Sequence, residues 1–327
     1  MRAIRINQPG GPEVLQLEET EVPRPGPGQV LIKVAAAGVN YADLGLRQGM
    51  SFGPHRALYP VTPGYEVAGT IAALGADVAA PVLGTRVAAV VDDGGYAEYA
   101  VAAADRAWAI PEGLDDASAT VLLVQGLTAY GVIHDAARVQ PGEGVLVQAA
   151  TGGVGSIAVQ LCCLAGARPL LGTAGGARKC QAVRDLGTDA AIDYTQPDWT
   201  AAVYAATGGR GVDVVLESVG GPSGGQAFGS LAPLGRMVTF GAASGQPLPM
   251  MEIMMPLAIK GLSLIGFGGP WLRPGRAAAA WDDLIAEVGA GRLRLTVGHR
   301  FALSDAAEAH RAVAARETIG KVVLMAA

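Results

Sequence analysis

The sequence predicts an α/β protein that combines a strand-rich domain with a domain built on a doubly wound parallel sheet. Residues 1 to about 120 contain short apolar runs rich in Val and Ile, bounded by glycine and proline turns. From about residue 121, apolar strands alternate with helical segments, a rhythm typical of βαβ units. The length of 327 residues suits one large domain or two ordinary ones.

The first part of the chain has strands but no regular helices between them. "QVLIKVAAAGVN" (29–40) and "TRVAAVV" (85–91) are predicted strands. The turns "PRPGPG" (23–28), "TPGYE" (62–66) and "DDGGYAEY" (92–99) bound such runs. This pattern predicts an antiparallel, barrel-like domain.

The second part reads as a series of strands and crossover helices. The predicted strands cover 144–150, 168–174, 190–194, 212–219, 235–241 and 262–268, and the predicted helices cover 154–166, 177–187 and 277–291. "KVVLMAA" (321–327) is a final strand that we expect to return to the first domain. The predicted domains are therefore 1–121 and 122–267, with 268–327 belonging again to the first.

Composition excludes several classes of partner. The net charge is −5 and the chain has no runs of Lys or Arg, which argues against nucleic-acid and membrane-surface partners. The start, "MRAIRINQPGGPEVL", shows no signal peptide, and no uncharged apolar run reaches the length of a bilayer span. Cys162, Cys163 and Cys180 form no pairing framework. We expect a cytoplasmic protein with a small-molecule substrate.

A glycine-rich loop follows the first strand of the second part, in "QAATGGVGSIAVQLC" (148–162). Ala150 stands where the common G-x-G-x-x-G pattern would place its first glycine. Gly152, Gly153 and Gly155 allow backbone N–H groups to approach a pyrophosphate at a helix N-terminus. The alternative is an ordinary tight turn, but the βαβ series favours a dinucleotide loop, which includes Val154.

The end of the second strand of this series indicates which dinucleotide binds. NAD sites usually carry Asp or Glu there, but "GTAGGARKC" (172–180) contains no acid. Its small residues, Thr173 among them, leave room for a 2′-phosphate, which Arg178, Lys179 and Tyr194 would contact. This pattern predicts NADPH; the alternative is that Arg178 and Lys179 form a solvated helix face.

These motifs keep their order and spacing along the whole chain. The segments are "AAAGVNYADL" (35–44), "TPGYEVAG" (62–69), "GGYAEYA" (94–100), "GLTAYG" (126–131), "AATGGVG" (149–155) and "IGKVVL" (319–324). With them the chain resembles the zinc-independent quinone oxidoreductase (zeta-crystallin-like) branch of the medium-chain dehydrogenase/reductase superfamily. The resemblance implies a GroES-like catalytic domain and a Rossmann-type nucleotide-binding domain. It also implies that Ala150 is normal, because this branch has the loop A-x-G-G-V-G.

The resemblance also implies that no metal is bound. Asn40, Tyr65 and Val124 stand where zinc-dependent relatives carry Cys, His and Cys ligands, and the four-cysteine structural lobe is missing. The histidines are scattered without ligand spacing, at His55, His134, His299 and His310.

The segment "VNYAD" (39–43) carries the expected catalytic residues. The resemblance places Asn40 beside the nicotinamide as an amide donor and Thr128 near the same ring. Tyr41 is either a proton donor to an enolate or a packing residue. Asp43 is an orienting partner or a cap rather than an acid.

Other site residues follow from the resemblance alone. The loop 47–60 is expected to border the substrate pocket, where Phe52 and Tyr59 either stack on a flat acceptor or belong to the core, with Tyr65 nearby. Arg316 and Lys321 contact the cofactor or are solvated. The further cofactor contacts are expected at Tyr130, Phe240, Gly241, Ser244, Phe267 and Gly268.

The sequence therefore predicts an NADPH-dependent reductase of a quinone or an α,β-unsaturated carbonyl, because such acceptors spread incoming negative charge without a metal. One alternative is an enoyl-thioester reductase, since "VNYAD" resembles polyketide enoyl reductase domains. Another is an NADPH-binding protein with little turnover. The apolar strand near 262–267 is expected to end its sheet and to pair with its copy in a homodimer.

Overall fold

The structure, a computed structural model, describes residues 1–50, 58–268 and 275–326. The chain divides into two compact units. The strand-rich unit comprises Met1–Val124 and Leu295–Ala327, and the parallel-sheet unit comprises Gln125–Arg294. The first boundary lies close to the predicted residue 121. The predicted return at residue 268 differs from the structure, because the segment up to Arg294 packs within the parallel-sheet unit.

The six strands and three helices predicted for the second part are present, and the structure adds helices in both parts that the sequence pattern did not predict. The strands are β1 (Arg2–Arg5), β2 (Gln16–Glu19), β3 (Gln29–Val39), β4 (Glu66–Leu74), β5 (Arg86–Val90), β6 (Tyr99–Ala103), β7 (Ala107–Ala109), β8 (Val145–Val147), β9 (Leu170–Ala174), β10 (Ala190–Asp193), β11 (Val212–Glu217), β12 (Leu231–Thr239), β13 (Ser263–Gly266), β14 (Val297–Ala302) and β15 (Lys321–Met325). The α-helices are α1 (Tyr41–Arg47), α2 (Asp116–Val121), α3 (Thr128–Gly131), α4 (Gly153–Leu164), α5 (Ala177–Asp185), α6 (Trp199–Ala206), α7 (Gly221–Gly229), α8 (Met250–Lys260), α9 (Arg276–Gly289) and α10 (Ala306–Ala314).

The strand-rich unit is built on a sheet with the order β14-β15-β3-β4-β5-β7, in which β6 also pairs with β3. Its neighbours are antiparallel except for the parallel pair β14–β15. β15 pairs with β3, so the last strand returns to the first unit as predicted. Apolar side chains from these strands and from α10 form the core.

The parallel-sheet unit contains a six-stranded sheet with the order β10-β9-β8-β11-β12-β13. All of its strand pairs are parallel. This is the doubly wound order in which two βαβαβ halves meet at β8 and β11, and ligands bind beyond the carboxyl ends of the strands there. β13 lies at the edge of the sheet, as predicted.

The expectation that no apolar segment is long enough to span a bilayer requires a correction for the helical segment that contains α2 and α3. Asp116–Ala137 forms consecutive helical turns with a kink at Leu123, and by length and composition alone these 22 residues could cross a membrane, contrary to the expectation from sequence. Within its most apolar window, 78% is buried inside the protein, which is typical of a core helix.

Candidate active site

The first candidate residue, Asn40, lies where β3 passes into α1. It caps α1, and its backbone N–H donates to Asp43 Oδ2 at 2.7 Å, as in a capping box. Both side chains are buried, Asn40 with 6% and Asp43 with 0% exposed. The expectation that Asp43 is an orienting partner and cap therefore agrees with its contacts.

The Asn40 carboxamide is bonded on both sides. Its Nδ2 donates to Glu66 Oε1 at 2.7 Å, and its Oδ1 accepts from Lys321 Nζ at 2.9 Å. Lys321 also forms a fully buried ion pair with Glu66. Because the ammonium must face the amide oxygen and the carboxylate must face the amide nitrogen, these contacts fix the direction of the amide. One Nδ2 proton is left for a further acceptor.

Two neighbours complete this buried cluster, which we call the Asn40 cluster and define as Asn40, Glu66 and Lys321. The backbone N–H of Val124 donates to Glu66 Oε2 at 2.7 Å. A Cβ at Gly38 would collide with Glu66 Oε1 and with Lys321 Cε. The glycine of the "AGVN" segment is therefore required by the ion pair packed against it.

The residues present do not fit a zinc ion. Asn40 and Val124, at two of the positions of lost ligands, already donate hydrogen bonds to Glu66, and the ammonium of Lys321 would repel a divalent cation. Within the described ranges, no group of three His, Cys, Asp or Glu side chains has a geometry suited to a metal ion.

A second buried chain of polar groups leads away from Asp43. The Tyr96 hydroxyl donates to Asp43 Oδ2 at 3.0 Å and lies 3.2 Å from His310 Nε2. Burial raises the pKa of Asp43 from 3.8 to about 7 and lowers the pKa of His310 from 6.5 to about 3. His310 is thus neutral, and with its proton on Nε2 it donates to Tyr96.

The other predicted residues of the strand-rich unit divide into two groups. Lys321 is fully buried, so the solvated alternative is wrong, and its partners are Glu66 and Asn40. A direct contact of Lys321 with the cofactor stays a prediction. Arg316, which follows α10, is exposed, and Tyr41 at the start of α1 is 42% exposed. The alternative that Tyr41 only packs is therefore weakened.

The predicted substrate-pocket residues are only partly described. Phe52 lies outside the described residues. Tyr59 donates its hydroxyl proton to the Leu46 carbonyl at 2.6 Å and packs against the core, which agrees with the core alternative. Tyr65 is half-buried, and burial raises its pKa to about 12.

In the parallel-sheet unit, the glycine loop joins β8 to α4. Gly152 caps α4, and a Cβ at Gly155 would collide with the Ala149 carbonyl, which explains the glycine there. Ala149 itself has a positive φ of 49°. Gly152, Gly153 and Val154 are half-buried, so the first turn of α4 remains open to a ligand. This geometry suits an anion at a helix N-terminus.

Thr173 supports this loop from the neighbouring strand β9. It is 1% exposed, and its Oγ1 accepts from the Ala149 N–H at 3.3 Å while its carbonyl accepts from the Ala150 N–H at 2.9 Å. The Thr173 side chain is thus enclosed between β9 and the loop, and a direct cofactor contact at Thr173 stays a prediction.

The predicted 2′-phosphate residues do converge. Tyr194 follows β10, and its hydroxyl lies 3.0 Å from the position of a Cβ at Gly175. Arg178 and Lys179 lie in the first turn of α5, which begins two residues later, with Arg178 exposed and Lys179 half-buried. The loop after β9, the end of β10 and the start of α5 thus form one surface.

Sequence reasoning missed an acid at this surface. Asp193 Oδ1 accepts from the N–H groups of Gly176 and Thr195 and from the Thr195 hydroxyl, at 3.0, 3.0 and 2.7 Å. The Gly176 bond is the main reason why the pKa of Asp193 falls to about 2. Asp193 therefore shapes the loop as a carboxylate. Asp193 is the last residue of β10, whereas the sequence rule looks for an acid at the end of β9.

The remaining predicted cofactor residues follow the last two strands of the parallel sheet, β12 and β13. Phe240, Gly241 and Ser244 follow β12, and Phe267 and Gly268 follow β13, so both groups lie at the carboxyl edge of the sheet. Parallel strands bring these ends to the same edge as the glycine loop.

Thr128 and Tyr130 lie on α3. Thr128 is 8% exposed. The Tyr130 hydroxyl donates to Asp283 Oδ2 at 2.5 Å, and the guanidinium of Arg276 lies 5.4 Å from its ring centre. Tyr130 is thus held by α9, and with Phe267 it lines a cavity of about 720 Å³. This attachment of α9 explains why the unit extends beyond residue 268.

Comparisons with known families match both parts of the chain. Residues 26–112 match the alcohol dehydrogenase GroES-like domain, and residues 186–324 match the zinc-binding dehydrogenase family.

Curated relatives match nearly the whole chain. A 2-haloacrylate reductase of Burkholderia sp. is 32% identical over 98% of this chain and 97% of its own length. A quinone oxidoreductase of Pseudomonas aeruginosa is 33% identical, with 97% of each chain covered.

Solved structures share the fold over the full length. A mycobacterial protein complexed with NADPH has a TM-score of 0.92 at 32% identity, with all of both chains covered. Escherichia coli quinone oxidoreductase complexed with NADPH has a TM-score of 0.91 at 28% identity and the same coverage. CurK enoyl reductase has a TM-score of 0.87 at 27% identity, covering 99% of this chain and 98% of its own.

Proposed function

Because the chain belongs to the quinone oxidoreductase family of the medium-chain dehydrogenase/reductase superfamily, we propose that it is an NADPH-dependent reductase of quinones or α,β-unsaturated carbonyls. The observation that carries the proposal is the Asn40 cluster. It presents an amide of fixed direction in place of a metal ligand. The bound NADPH supplies a hydride.

An acceptor of this class suits a site without a metal ion. A quinone or enone delocalises the negative charge that develops on its oxygen, so one hydrogen-bond donor contributes usefully. The second Nδ2 proton of Asn40 is that donor. Glu66 and Lys321 hold the amide in place, and no side chain has to reorganise as the charge develops. Tyr41, at an exposed position, supplies the proton to an enolate carbon.

NADPH is the proposed cofactor because the residues fit it. The open first turn of α4 suits the pyrophosphate, and Arg178, Lys179 and Tyr194 form one surface for the 2′-phosphate. Structural relatives that were solved with NADPH support this choice.

An acceptor screen tests the proposal directly. Purified protein and NADPH are mixed with a quinone, an enone and a crotonyl thioester, and the loss of NADPH absorbance is followed. Turnover with the quinone or the enone is the expected result. Turnover with the thioester alone would favour the alternative, an enoyl-thioester reductase. The similarity to CurK enoyl reductase supports that alternative. Binding of NADPH without turnover of any acceptor would indicate a binding protein.

Zinc independence is part of the proposal. We expect full activity after exhaustive chelation, because the buried ammonium of Lys321 is bonded to Asn40, which stands at the position of a lost metal ligand, and would repel a divalent cation. Loss of activity on chelation, with recovery on addition of zinc, would contradict it. A cytoplasmic location stays a prediction from sequence.

We also propose a homodimer. Among the residues that the structure describes, no strand pairs with the outer edge of β13. The preceding helix α8 exposes Met251, Met255 and Ile259 by 87%, 64% and 75%. An open sheet edge next to an apolar helix face suits a twofold interface. Sedimentation at micromolar concentration should give the mass of two chains, and Met251→Lys should shift it toward one. A monomeric wild-type protein would contradict the proposal.

A further inference from the structure

One buried side chain next to the glycine loop is not used by the function proposed above. Gln125 is 8% exposed, and its carboxamide lies against Gly153, the first residue of α4, where a Cβ would collide with it. Its Oε1 is buried and accepts no hydrogen bond from the described residues. A buried acceptor without a donor costs about 1–3 kcal/mol. The structure therefore contains an acceptor at the first turn of α4 that lacks its donor.

The position of Gln125 within the parallel-sheet unit indicates which part of a dinucleotide it faces. Leu127, two residues after Gln125, lines one cavity with Ile265 of β13 and with Phe267, which follows β13. The later turn Val132–Ala137 contacts α4, β12 and β13. Gln125 thus lies on the side of α4 that faces β12 and β13. The 2′-phosphate surface of Lys179 and Tyr194 lies on the other side, at β9 and β10. A dinucleotide that crosses the sheet at the β8–β11 switch point has its adenosine half at β9 and its nicotinamide half toward β12.

The group that donates to Gln125 Oε1 must carry a proton, which limits the parts of a dinucleotide that can make this contact. The pyrophosphate at the start of α4 carries no proton at neutral pH, so it cannot donate to Oε1. The ribose next to it carries hydroxyl groups, which donate as well as accept. Since Gln125 lies on the β12 side, the ribose in question is the one that bears the nicotinamide.

We propose that Gln125 is a cofactor-binding residue that accepts a hydrogen bond from a hydroxyl of the nicotinamide-side ribose. This inference rests on the proposed function, because it requires that the chain binds NADPH. The contact anchors the ribose at the point where Gly153 lets the carboxamide lie flat on the loop. A Cβ at residue 153 would displace both partners, which gives Gly153 a role besides its backbone N–H.

Binding of two ligands to a Gln125→Met variant tests the proposal. Met keeps the length of the side chain and removes the acceptor. NADPH contains both riboses, whereas adenosine 2′,5′-bisphosphate ends before the nicotinamide-side ribose. Fluorescence titration of the wild-type protein gives both dissociation constants. In the variant we expect NADPH to bind about 5- to 10-fold more weakly, the loss of one net hydrogen bond, and the bisphosphate to bind unchanged.

A matched control separates this contact from a general loss of stability. Gln160 is also buried and lies on α4, but its amide is bonded to Ser156 and Arg294. Gln160→Met should lower the melting temperature and leave both dissociation constants at their wild-type values. If Gln125→Met does not fold, Gln125→Leu removes the same acceptor.

The outcomes distinguish this inference from the proposed function. Equal weakening of both ligands in the Gln125 variant would mean that Gln125 only shapes the loop, and unchanged binding of both would mean that it only packs. Either result overturns the inference and leaves NADPH binding intact. A wild-type protein that binds neither ligand would overturn the proposed function, and the inference with it.

Discussion

The two units build their candidate sites in opposite ways. In the strand-rich unit, the Asn40 cluster is a closed network of charged and polar side chains, fully buried and bonded to each other. In the parallel-sheet unit, the glycine loop is an open turn of backbone, half-buried and without charged side chains. A closed network holds one donor in a fixed direction, and an open turn binds whatever anion reaches it. The first arrangement suits catalysis and the second suits binding.

Breaking the closed network should have the largest effect. Lys321→Met leaves the Glu66 carboxylate buried without its cation, which costs about 3–5 kcal/mol. Urea unfolding should show a correspondingly lower midpoint. The control is Arg292→Met, which breaks the exposed pair with Glu287 and should cost less than about 1 kcal/mol.

A double variant sharpens this test. Glu66→Leu combined with Lys321→Met removes both buried charges, so part of the stability should return. Turnover should stay low, because the Asn40 amide has lost both partners. Equal costs for Lys321→Met and Arg292→Met would contradict a closed network.

Removal of the donor itself should affect turnover rather than binding. Loss of one transition-state donor costs about 10²–10³ in turnover in well-studied enzymes. For Asn40→Ala we expect roughly 10- to 100-fold, because a conjugated acceptor disperses its charge. NADPH affinity should change little. Asn7→Ala, which removes an exposed hydrogen bond to Glu18 in the same unit, serves as the control. Full turnover in Asn40→Ala would refute the donor role.

In the parallel-sheet unit, the corresponding change should affect binding rather than turnover. Lys179→Ala should weaken NADPH by about tenfold and NADH little, because it removes one charge-assisted contact to the 2′-phosphate. Arg184→Ala, later on α5, should change neither dissociation constant. Equal affinities of the wild-type protein for both cofactors would contradict the 2′-phosphate assignment.

Tyr41 tests whether proton transfer belongs to the strand-rich unit. Tyr41→Phe should lower turnover with an enone roughly three- to tenfold. The loss is small because the Tyr41 side chain is 42% exposed, so water can partly replace the phenol as the proton donor. With a quinone, whose reduced oxygens take protons from water, turnover should hardly change. Unchanged turnover with every acceptor would mean that Tyr41 donates no proton.

The smallest effects concern the pH dependence of stability. Asp43 has a pKa of about 7 when folded and 3.8 ordinarily, so between about pH 4 and 7 the folded state holds an extra proton and stability falls as pH rises. His310 has a pKa of about 3 when folded and 6.5 ordinarily, so stability rises with pH between about 3 and 6.5. The two trends oppose each other.

Replacing one of the two groups should therefore reveal the pH dependence of stability that the other group causes. In Asp43→Asn, the melting temperature should rise more steeply from pH 4 to 6.5 than in the wild type, and in His310→Gln it should fall from pH 4 to 7. A slope of a few degrees per pH unit is expected, because one extra bound proton changes stability by about 1.4 kcal/mol per pH unit and about 1 kcal/mol corresponds to roughly 2–4 °C. Identical pH profiles in all three proteins would contradict the buried positions of both groups.

The sequence by itself determined the fold class, the order of strands and helices, and the glycine loop. These features depend on local patterns: apolar alternation, turn residues and spacing within some ten to twenty positions. It also singled out Asn40, because the family pattern places a metal ligand there. The edge position of β13 followed from its place at the end of the βαβ series.

Only the tertiary structure decided how the candidate side chains are partnered. Glu66 is adjacent to the predicted Tyr65 but was passed over, and Lys321 was assigned to the cofactor. They meet Asn40 across separations of 26 and 281 residues. Gln125 and Asp193 were missed for the same reason. Periodicity shows that a side chain is buried, but its hydrogen-bond partner is set by strand pairing and helix packing between segments far apart in the chain, which no local pattern records.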